Sequence, residues 1–310
     1  MKTVLVSGGA GFIGSHLCER LLADGSRVIC VDNFVTGRKE NVRHLLPDKN
    51  FSLVEHDITQ PLEIKEKIGR IFNLASPASP VDFEKIPVEI LAVNSAGTRN
   101  MLELAGEKKA RFLQASTSEV YGDPLEHPQR ETYWGNVNCN GPRSCYDEGK
   151  RFSEALAMAY SRSRGVEVRI VRIFNTYGPR MRPDDGRVVP NFIMQALHGK
   201  PLTVYGKGEQ TRSFCYVSDL VDGIVRLMDS SYQMPVNIGN PNEFTVLQLA
   251  EEVIRLTGSK SKISFKPLPK DDPAKRKPDI SVATMELGWQ PKTQLGEGLK
   301  ATIEWFRKAK

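Results

Sequence analysis

Tyr146 and Lys150 stand four residues apart, so on a helix they share one face about one turn from each other. A free phenol titrates near ~10 and is a poor base at neutral pH. A neighbouring ammonium favours its anion, which could then take a proton from an alcohol as the carbon beneath loses hydride. Upstream, Ser116-Thr117-Ser118 offers a hydroxyl to polarise the same alcohol, and Thr117 is the choice within that cluster. A tyrosine and lysine at this spacing also arise by chance, so their weight depends on what surrounds them.

What surrounds them begins at the N-terminus. Gly8, Gly11 and Gly14 follow an apolar run and open a helix. Glycines at this spacing let the backbone turn and approach a pyrophosphate, which the helix N-terminus then meets with free N–H groups. Phe12 and Ile13 lie between them. Asp32, eighteen residues after Gly14, ends the second strand. An acid there accepts hydrogen bonds from an adenosine ribose and repels a 2′-phosphate, which selects NAD over NADP. Arg38 argues the other way, but Asp32 occupies the decisive position. Asn33, Phe34, Thr36, Gly37 and Arg38 would border the adenosine. Asp57, beside Ile58, could pair with the adenine or cap the next segment. Leu74 and Ser76 end the fourth strand where the nicotinamide half should lie. An oxidised nicotinamide ring would add its charge to that of Lys150 in favouring the Tyr146 phenolate, and Lys150 would also hold the nicotinamide ribose.

These residues need rigid elements behind them. The expected strands are Thr3–Ser7, Arg27–Asp32, Phe51–Asp57, Arg70–Ser76, Arg111–Thr117 and Glu167–Phe174. Several are continuous apolar runs, as in strands covered on both faces. Helical stretches such as Phe12–Ala23, Pro87–Gly106 and Tyr146–Arg164 alternate with them. The pattern predicts an α/β fold with a Rossmann-like doubly wound parallel sheet over residues 1–177, binding NAD. After residue 177 the prolines Pro179, Pro183 and Pro190 break the rhythm. Short mixed elements follow: Pro201–Tyr205, Ser213–Asp219, Pro235–Asn237, Val246–Thr257 and Lys262–Pro267. Residues 178–310 therefore read as a smaller α+β lobe, with segments returning to the first domain. In such folds ligands bind at the carboxyl ends of the strands.

Composition bounds the partners. Hydrophobic residues are 40% and charged residues 26% of the 310, an ordinary globular balance. The net charge of +6 is scattered, with one dense block at Lys275-Arg276-Lys277, so a polyanionic small molecule accounts for it better than nucleic acid does. Five cysteines without CxxC spacing and five dispersed histidines argue against disulfides and metal, and for a reducing cytoplasm. No apolar run approaches the ~18 residues of a membrane span. A strand begins almost at Met1, leaving no room for a signal peptide.

The glycine motif, Asp32, Thr117, Tyr146 with Lys150, and the run from Arg172 to Pro179 together resemble the extended short-chain dehydrogenase/reductase family over essentially the whole chain. The resemblance implies a nucleotide-sugar substrate, oxidised at C4 by tightly held NAD, altered as the ketone and usually reduced again. The stretches Asn73–Pro80, Thr117–Gly122, Gly141–Arg151 and Asp271–Asp279 resemble the members that decarboxylate UDP-glucuronate to UDP-xylose. By that resemblance Arg276 lies near the sugar carboxylate and Glu119 near C5. Asn175, Lys200, Tyr205, Gln210 and Arg212 are candidates for the UDP end, with Arg212 on the diphosphate and Tyr205 beside the uracil. Thr176 and Arg187 are further cofactor candidates by family position. Sugar 4,6-dehydratases and 4-epimerases, or a cofactor-binding protein without turnover, are the alternatives. Ser118, a poor general acid, disfavours dehydratases that carry an Asp-Glu pair there. Relatives pair through helices corresponding to Pro87–Gly106 and Tyr146–Arg164. A homodimer is therefore expected, with Leu91, Met101, Leu102, Leu156, Met158 and Tyr160 as its apolar surface.

Overall fold

The structure, a computed structural model, describes residues 2–267 and 275–308. The chain runs β1 (Thr3–Ser7), α1 (Phe12–Ala23), β2 (Arg27–Asp32), β3 (Phe51–Glu55), β4 (Arg70–Asn73), α2 (Pro80–Lys85), α3 (Pro87–Ala92), α4 (Thr98–Lys108), β5 (Arg111–Thr117), α5 (Ser144–Arg164) and β6 (Val168–Ile173). It continues through β7 (Thr176–Tyr177), α6 (Val188–Leu197), β8 (Leu202–Tyr205), β9 (Thr211–Ser213), β10 (Cys215–Tyr216), α7 (Val217–Asp229) and β11 (Val236–Ile238). Last come β12 (Glu243–Thr245), α8 (Val246–Thr257), β13 (Ile263–Lys266), β14 (Lys275–Arg276), α9 (Ser281–Leu287) and α10 (Leu295–Lys308).

Seven strands form one parallel sheet in the order β11-β6-β5-β4-β1-β2-β3. Alternation along each strand divides its side chains between two cores. Val4, Val6, Val28, Cys30 and Leu113 meet α1, α7 and α9 on one face. Leu5, Ile29, Ile71, Phe112 and Ile170 meet α4 and α5 on the other. Both faces are covered, and the strands are accordingly apolar throughout. A third core gathers α6, α8 and α10 around β8, with Phe192, Leu202, Leu249, Ile303 and Phe306 fully buried.

β3 and β4 stop earlier than expected, at Glu55 and Asn73, because the chain bends there into the loops that carry Asp57 and Ser76. The stretch expected as one element over Ser213–Asp219 divides into β9, β10 and the start of α7. Pro235–Asn237, read with the second lobe, corresponds to β11, which pairs with β6 at the edge of the main sheet. The Asp271–Ala274 part of the motif quoted above lies outside the described residues.

The expected dimer surface needs correction. Met101, Leu102 and Tyr160 are buried in the chain's own second core, against the sheet, while Leu156 and Met158 pack partly on it. The apolar side chains that α3 and α5 expose are Val88, Leu91 and Phe152, at 71%, 43% and 50%. Leu102→Ala should therefore act as a core truncation and cost about 2–5 kcal/mol of stability. Denaturant unfolding measures this, and a loss below about 0.5 kcal/mol, as at a surface position, would contradict the burial.

Candidate active site

Loops at the carboxyl ends of β1, β4, β5 and β6 converge on one cavity of about 750 Å³, whose far wall comes from α6, β8, β9 and β14. Gly8 leaves β1 with φ +70° and donates its N–H to the Val31 carbonyl at 2.8 Å. A Cβ on Gly8 would lie 2.8 Å from the Ala75 backbone, and one on Gly14 would overlap the Gly8 carbonyl. Only glycine fits where β1, α1 and the loop after β4 close together. α1 starts after Gly11 with no capping side chain and no acid in its first turn. Its N–H groups and positive dipole end are therefore presented to an anion. Gly8, Gly11, Phe12, Ile13, Gly14, Thr36, Leu74 and Ser76 all line the cavity.

Asp32 closes β2 with its carboxylate turned back on the glycine loop, accepting N–H bonds from Ala10 and Phe34, both at 2.9 Å. Burial pushes its pKa up against those bonds. Each oxygen keeps a second lone pair for a ribose hydroxyl. Gly37 packs against that carboxylate, and Arg38 donates its N–H to the Ala10 carbonyl at 3.0 Å. Asn33 accepts from the Val35 N–H, and Phe34 adopts φ +60°. These residues flank the end of the cavity that Thr36 lines. Asp57 closes the turn after β3 by accepting the Thr59 N–H at 2.9 Å. Ile58 is buried in the second core, and its carbonyl accepts from Asn100; neither lines the cavity. The cradle that any Cβ would fill and the uncapped helix start fit NAD, and Asp32 stands behind that cradle with its carboxylate bonded to the Ala10 N–H.

Farther in, β5 ends at Thr117 and α5 presents Tyr146 and Lys150 on one face. The Tyr146 ring stacks on Phe83, with centroids 5.0 Å apart. Its hydroxyl is close enough to Thr117 for that side chain to act on its titration, and Thr117 accepts the Glu119 N–H at 3.2 Å. Lys150 Nζ lies 5.8 Å from the Tyr146 ring centroid and donates to the Ala115 carbonyl at 3.0 Å. Burial raises the Tyr146 pKa to about 12, Thr117 pulling against it. Burial lowers that of Lys150 to about 7, Glu154 opposing. Protein groups alone thus hold the phenol protonated at neutral pH, and forming its anion calls for the additional positive charge that an oxidised nicotinamide ring brings.

Beside this trio lies a buried ionic cluster. Glu119 sits in the turn after β5 and meets two guanidiniums, Arg143 Nη2 at 2.5 Å and Arg276 Nη2 at 3.3 Å. Arg276, on β14, is almost fully buried and donates Nη1 to the Ser118 carbonyl at 2.6 Å. Burial raises the Glu119 pKa, but Arg276, Arg143 and Arg212 outweigh it and hold the carboxyl below its ordinary range. β14 pairs with β9 in parallel, placing Arg276 in register with Arg212, and both line the cavity. Asp147, in the first turn of α5, lies 4.0 Å from Arg143 Nε, and its buried Oδ1 has no hydrogen-bond partner. Burial and the Glu119 charge raise its pKa to about 7.

Of the remaining expected residues, Asn175, Thr176, Arg187, Tyr205, Gln210 and Arg212 line the cavity. Arg187 is held by a two-point contact with Asp185, at 2.8 and 2.6 Å. Lys200 does not join them; it is exposed in the turn after α6, its N–H bonded to the Gln195 carbonyl. Sequence reasoning passed over Arg143 and Asp147, although both fall within the quoted Gly141–Arg151 stretch. It also passed over Asp82, which meets Arg182 through both oxygens at 3.1 Å across the cavity rim. These are contacts between distant segments and leave no spacing signal.

Residues 4–239 match the model of the NAD dependent epimerase/dehydratase family. The chain is 56% identical over 307 residues to UDP-glucuronic acid decarboxylase 1 of Xenopus tropicalis, covering 99% of this chain and 72% of that one. It is 57% identical over 304 residues to UDP-glucuronic acid decarboxylase 1 of Arabidopsis thaliana, covering 98% and 69%. The fold superposes on UDP-glucuronic acid 4-epimerase from Bacillus cereus, solved with UDP-glucuronic acid and NAD, with a TM-score of 0.90 and 28% identity, covering 99% and 100%.

The ionic cluster sets a pH dependence. A raised pKa at Asp147 means that its ionisation weakens the fold. That loss is absent below about pH 4, where the unfolded chain is protonated as well. It grows as pH rises and is complete above about 7. Asp147→Asn should therefore unfold at the native temperature near pH 4 and at a higher temperature at pH 8. Thermal scans across that range decide the matter; a gap independent of pH would exclude the carboxylate as its cause.

Proposed function

This chain belongs to the NAD dependent epimerase/dehydratase family, and from that premise we infer that it decarboxylates UDP-glucuronate to UDP-xylose with bound NAD. One observation carries the reading: a single cavity joins the alcohol-oxidising trio Thr117, Tyr146 and Lys150 to the buried pair Glu119 and Arg276. NAD, when bound, would supply the acceptor for the C4 hydride and the donor for its return. Tyr146 takes the proton of the C4 hydroxyl while Thr117 steadies that oxygen, and Lys150 holds the nicotinamide ribose. Oxidation leaves the C6 carboxylate β to a ketone. Carbon dioxide can then depart with its electron pair delocalised onto the C4 oxygen. Arg276 grips the carboxylate with its planar fork, which a lysine cannot imitate. Glu119 delivers a proton to C5, and Tyr146 returns its own to the C4 oxygen as the ketone is reduced.

NAD is held by residues 1–177, along Gly8 to Gly14, Asp32 and the 33–38 segment. The lobe formed mainly by residues 178–310 takes UDP through Asn175, Gln210, Arg212 on the diphosphate and Tyr205 beside the uracil. A 4-epimerase must let its keto sugar turn over, and a carboxylate held by Arg276 opposes that. The exposed Val88, Leu91 and Phe152 support a homodimer through α3, α4 and α5. Among the described residues no helix is long and apolar enough to cross a membrane, and the five free thiols suit the cytoplasm.

Incubation with UDP-glucuronate, without added NAD, should give UDP-xylose and carbon dioxide by mass analysis. Arg276→Ala should slow carbon dioxide release roughly ten- to a hundredfold, the rate equivalent of a charge-assisted contact made in the transition state. UDP affinity should change far less, and Arg276→Lys should restore little. Normal decarboxylation by Arg276→Ala would assign the carboxylate to another group. For assembly, Leu91→Asp should shift sedimentation toward the monomer, and a native protein that sediments as a monomer would remove the dimer.

A further inference from the structure

Glu119 presents a chemical difficulty. A proton donor must hold its proton near the working pH, yet two guanidiniums press on this carboxyl and favour its anion. A negative charge beside them moderates that pressure. Asp147 is the other acid of the cluster, and it lies outside the mechanism described so far. Its side chain is 9% exposed and does not line the cavity, so it does not touch the substrate. An acid in the first turn of a helix ordinarily stabilises the helix as a charge exposed to water. This one is buried with Oδ1 unpartnered, an arrangement that costs stability.

We propose that Asp147 is a positioning residue of the decarboxylation: it shares the Arg143 guanidinium with Glu119 and tempers the positive field in which Glu119 must hold its proton. Arg143 joins the two acids, with Nη2 at 2.5 Å from Glu119 Oε2 and Nε at 4.0 Å from Asp147 Oδ2. The charges acting on Asp147 come from three elements: Glu119 on the turn after β5, Arg143 and Glu148 at the start of α5, and Arg276 on β14. Arg212 on β9 acts on Glu119 as well. Above about pH 7, where Asp147 is ionised, two acids face Arg143 and Arg276. Without it, Glu119 faces both alone and gives up its proton at lower pH.

The proposal rests on Glu119 as the donor to C5, so the test separates the two. The holoenzyme, with the NAD it retains, is assayed for UDP-xylose formation from pH 5 to 9 as native protein, Asp147→Asn, Asp147→Ala and Glu119→Gln. Asp147→Asn should keep KM for UDP-glucuronate within about twofold. The alkaline fall of its kcat should move down by on the order of one pH unit, so that turnover above the native limb is about tenfold slower. Asp147→Ala should show the same displacement. An unmoved alkaline limb in both variants, whether turnover is native or uniformly reduced at every pH, would leave Asp147 a packing residue and overturn the proposal. Glu119→Gln reports on the donor itself: if it forms UDP-xylose at the native rate, the assignment of Glu119 fails. If it fails to do so while the Asp147 limb stays fixed, only the inference about Asp147 falls.

Discussion

Burial of the Arg276 guanidinium constrains the site more than any other interaction. Arginine does not shed its charge inside a protein, and an unpaired buried charge costs several kcal/mol. The chain meets this with the Ser118 carbonyl and the Glu119 carboxylate, 157 positions away in sequence from Arg276. β14, which pairs with β9, is thereby fixed to the turn after β5, and Gln129 holds the following segment by bonding to both Lys277 and Asp279. The late part of the chain and the turn after β5 are locked together, and the cavity between the lobes acquires a rigid charged wall.

Behind that wall the polar groups are arranged in series. Ser116 donates to Glu154 at 2.5 Å, and Glu154 holds Arg172 through both oxygens at 2.9 and 2.8 Å. Arg172 in turn donates to the Tyr121 hydroxyl and the Glu131 carbonyl. This chain of contacts braces the ends of β5 and β6, where Thr117 and Asn175 must stand still. Such networks hold geometry better than they add stability, because the desolvation of each ion offsets much of its attraction. Asp147 and Lys150 lie at the unfavourable extreme, buried with pKa values displaced in the direction that discharges them. Both occupy the first two turns of α5, where the chemistry is concentrated.

The sheet was legible in sequence wherever burial on both faces left an uninterrupted apolar run. β1, β2 and β5 have the limits their residues suggest, as do α1 and α8. The glycine loop was legible because only one residue type tolerates its contacts. β11 escaped correct placement because three residues carry no period, and only their pairing with β6 assigns them to the sheet. Leu102 was misplaced because an amphipathic helix shows that it has an apolar face without showing what covers it. Arg143 and Asp147 acquire meaning only from Glu119, which no spacing rule connects to them. Lys200 shows the converse, a plausible cation in a plausible segment that the turn after α6 directs elsewhere.

The seventh strand has a consequence for how the polypeptide is made. β6 gains its outer neighbour, and the first core the helix α7, only when residues 217–238 arrive. A ribosome working at about 5–20 residues per second will have completed β6 several seconds before β11 and α7 can emerge. Throughout that interval the nascent sheet has an open β6 edge and an apolar face covered by α1 but not yet by α7, and exposed edges and apolar surface invite association with other chains. The main sheet is therefore complete only once residues 217–238 have been translated. Its completion waits on a segment that follows β8, β9 and β10, so the order of synthesis leaves the last edge of the sheet and part of one face to be closed late.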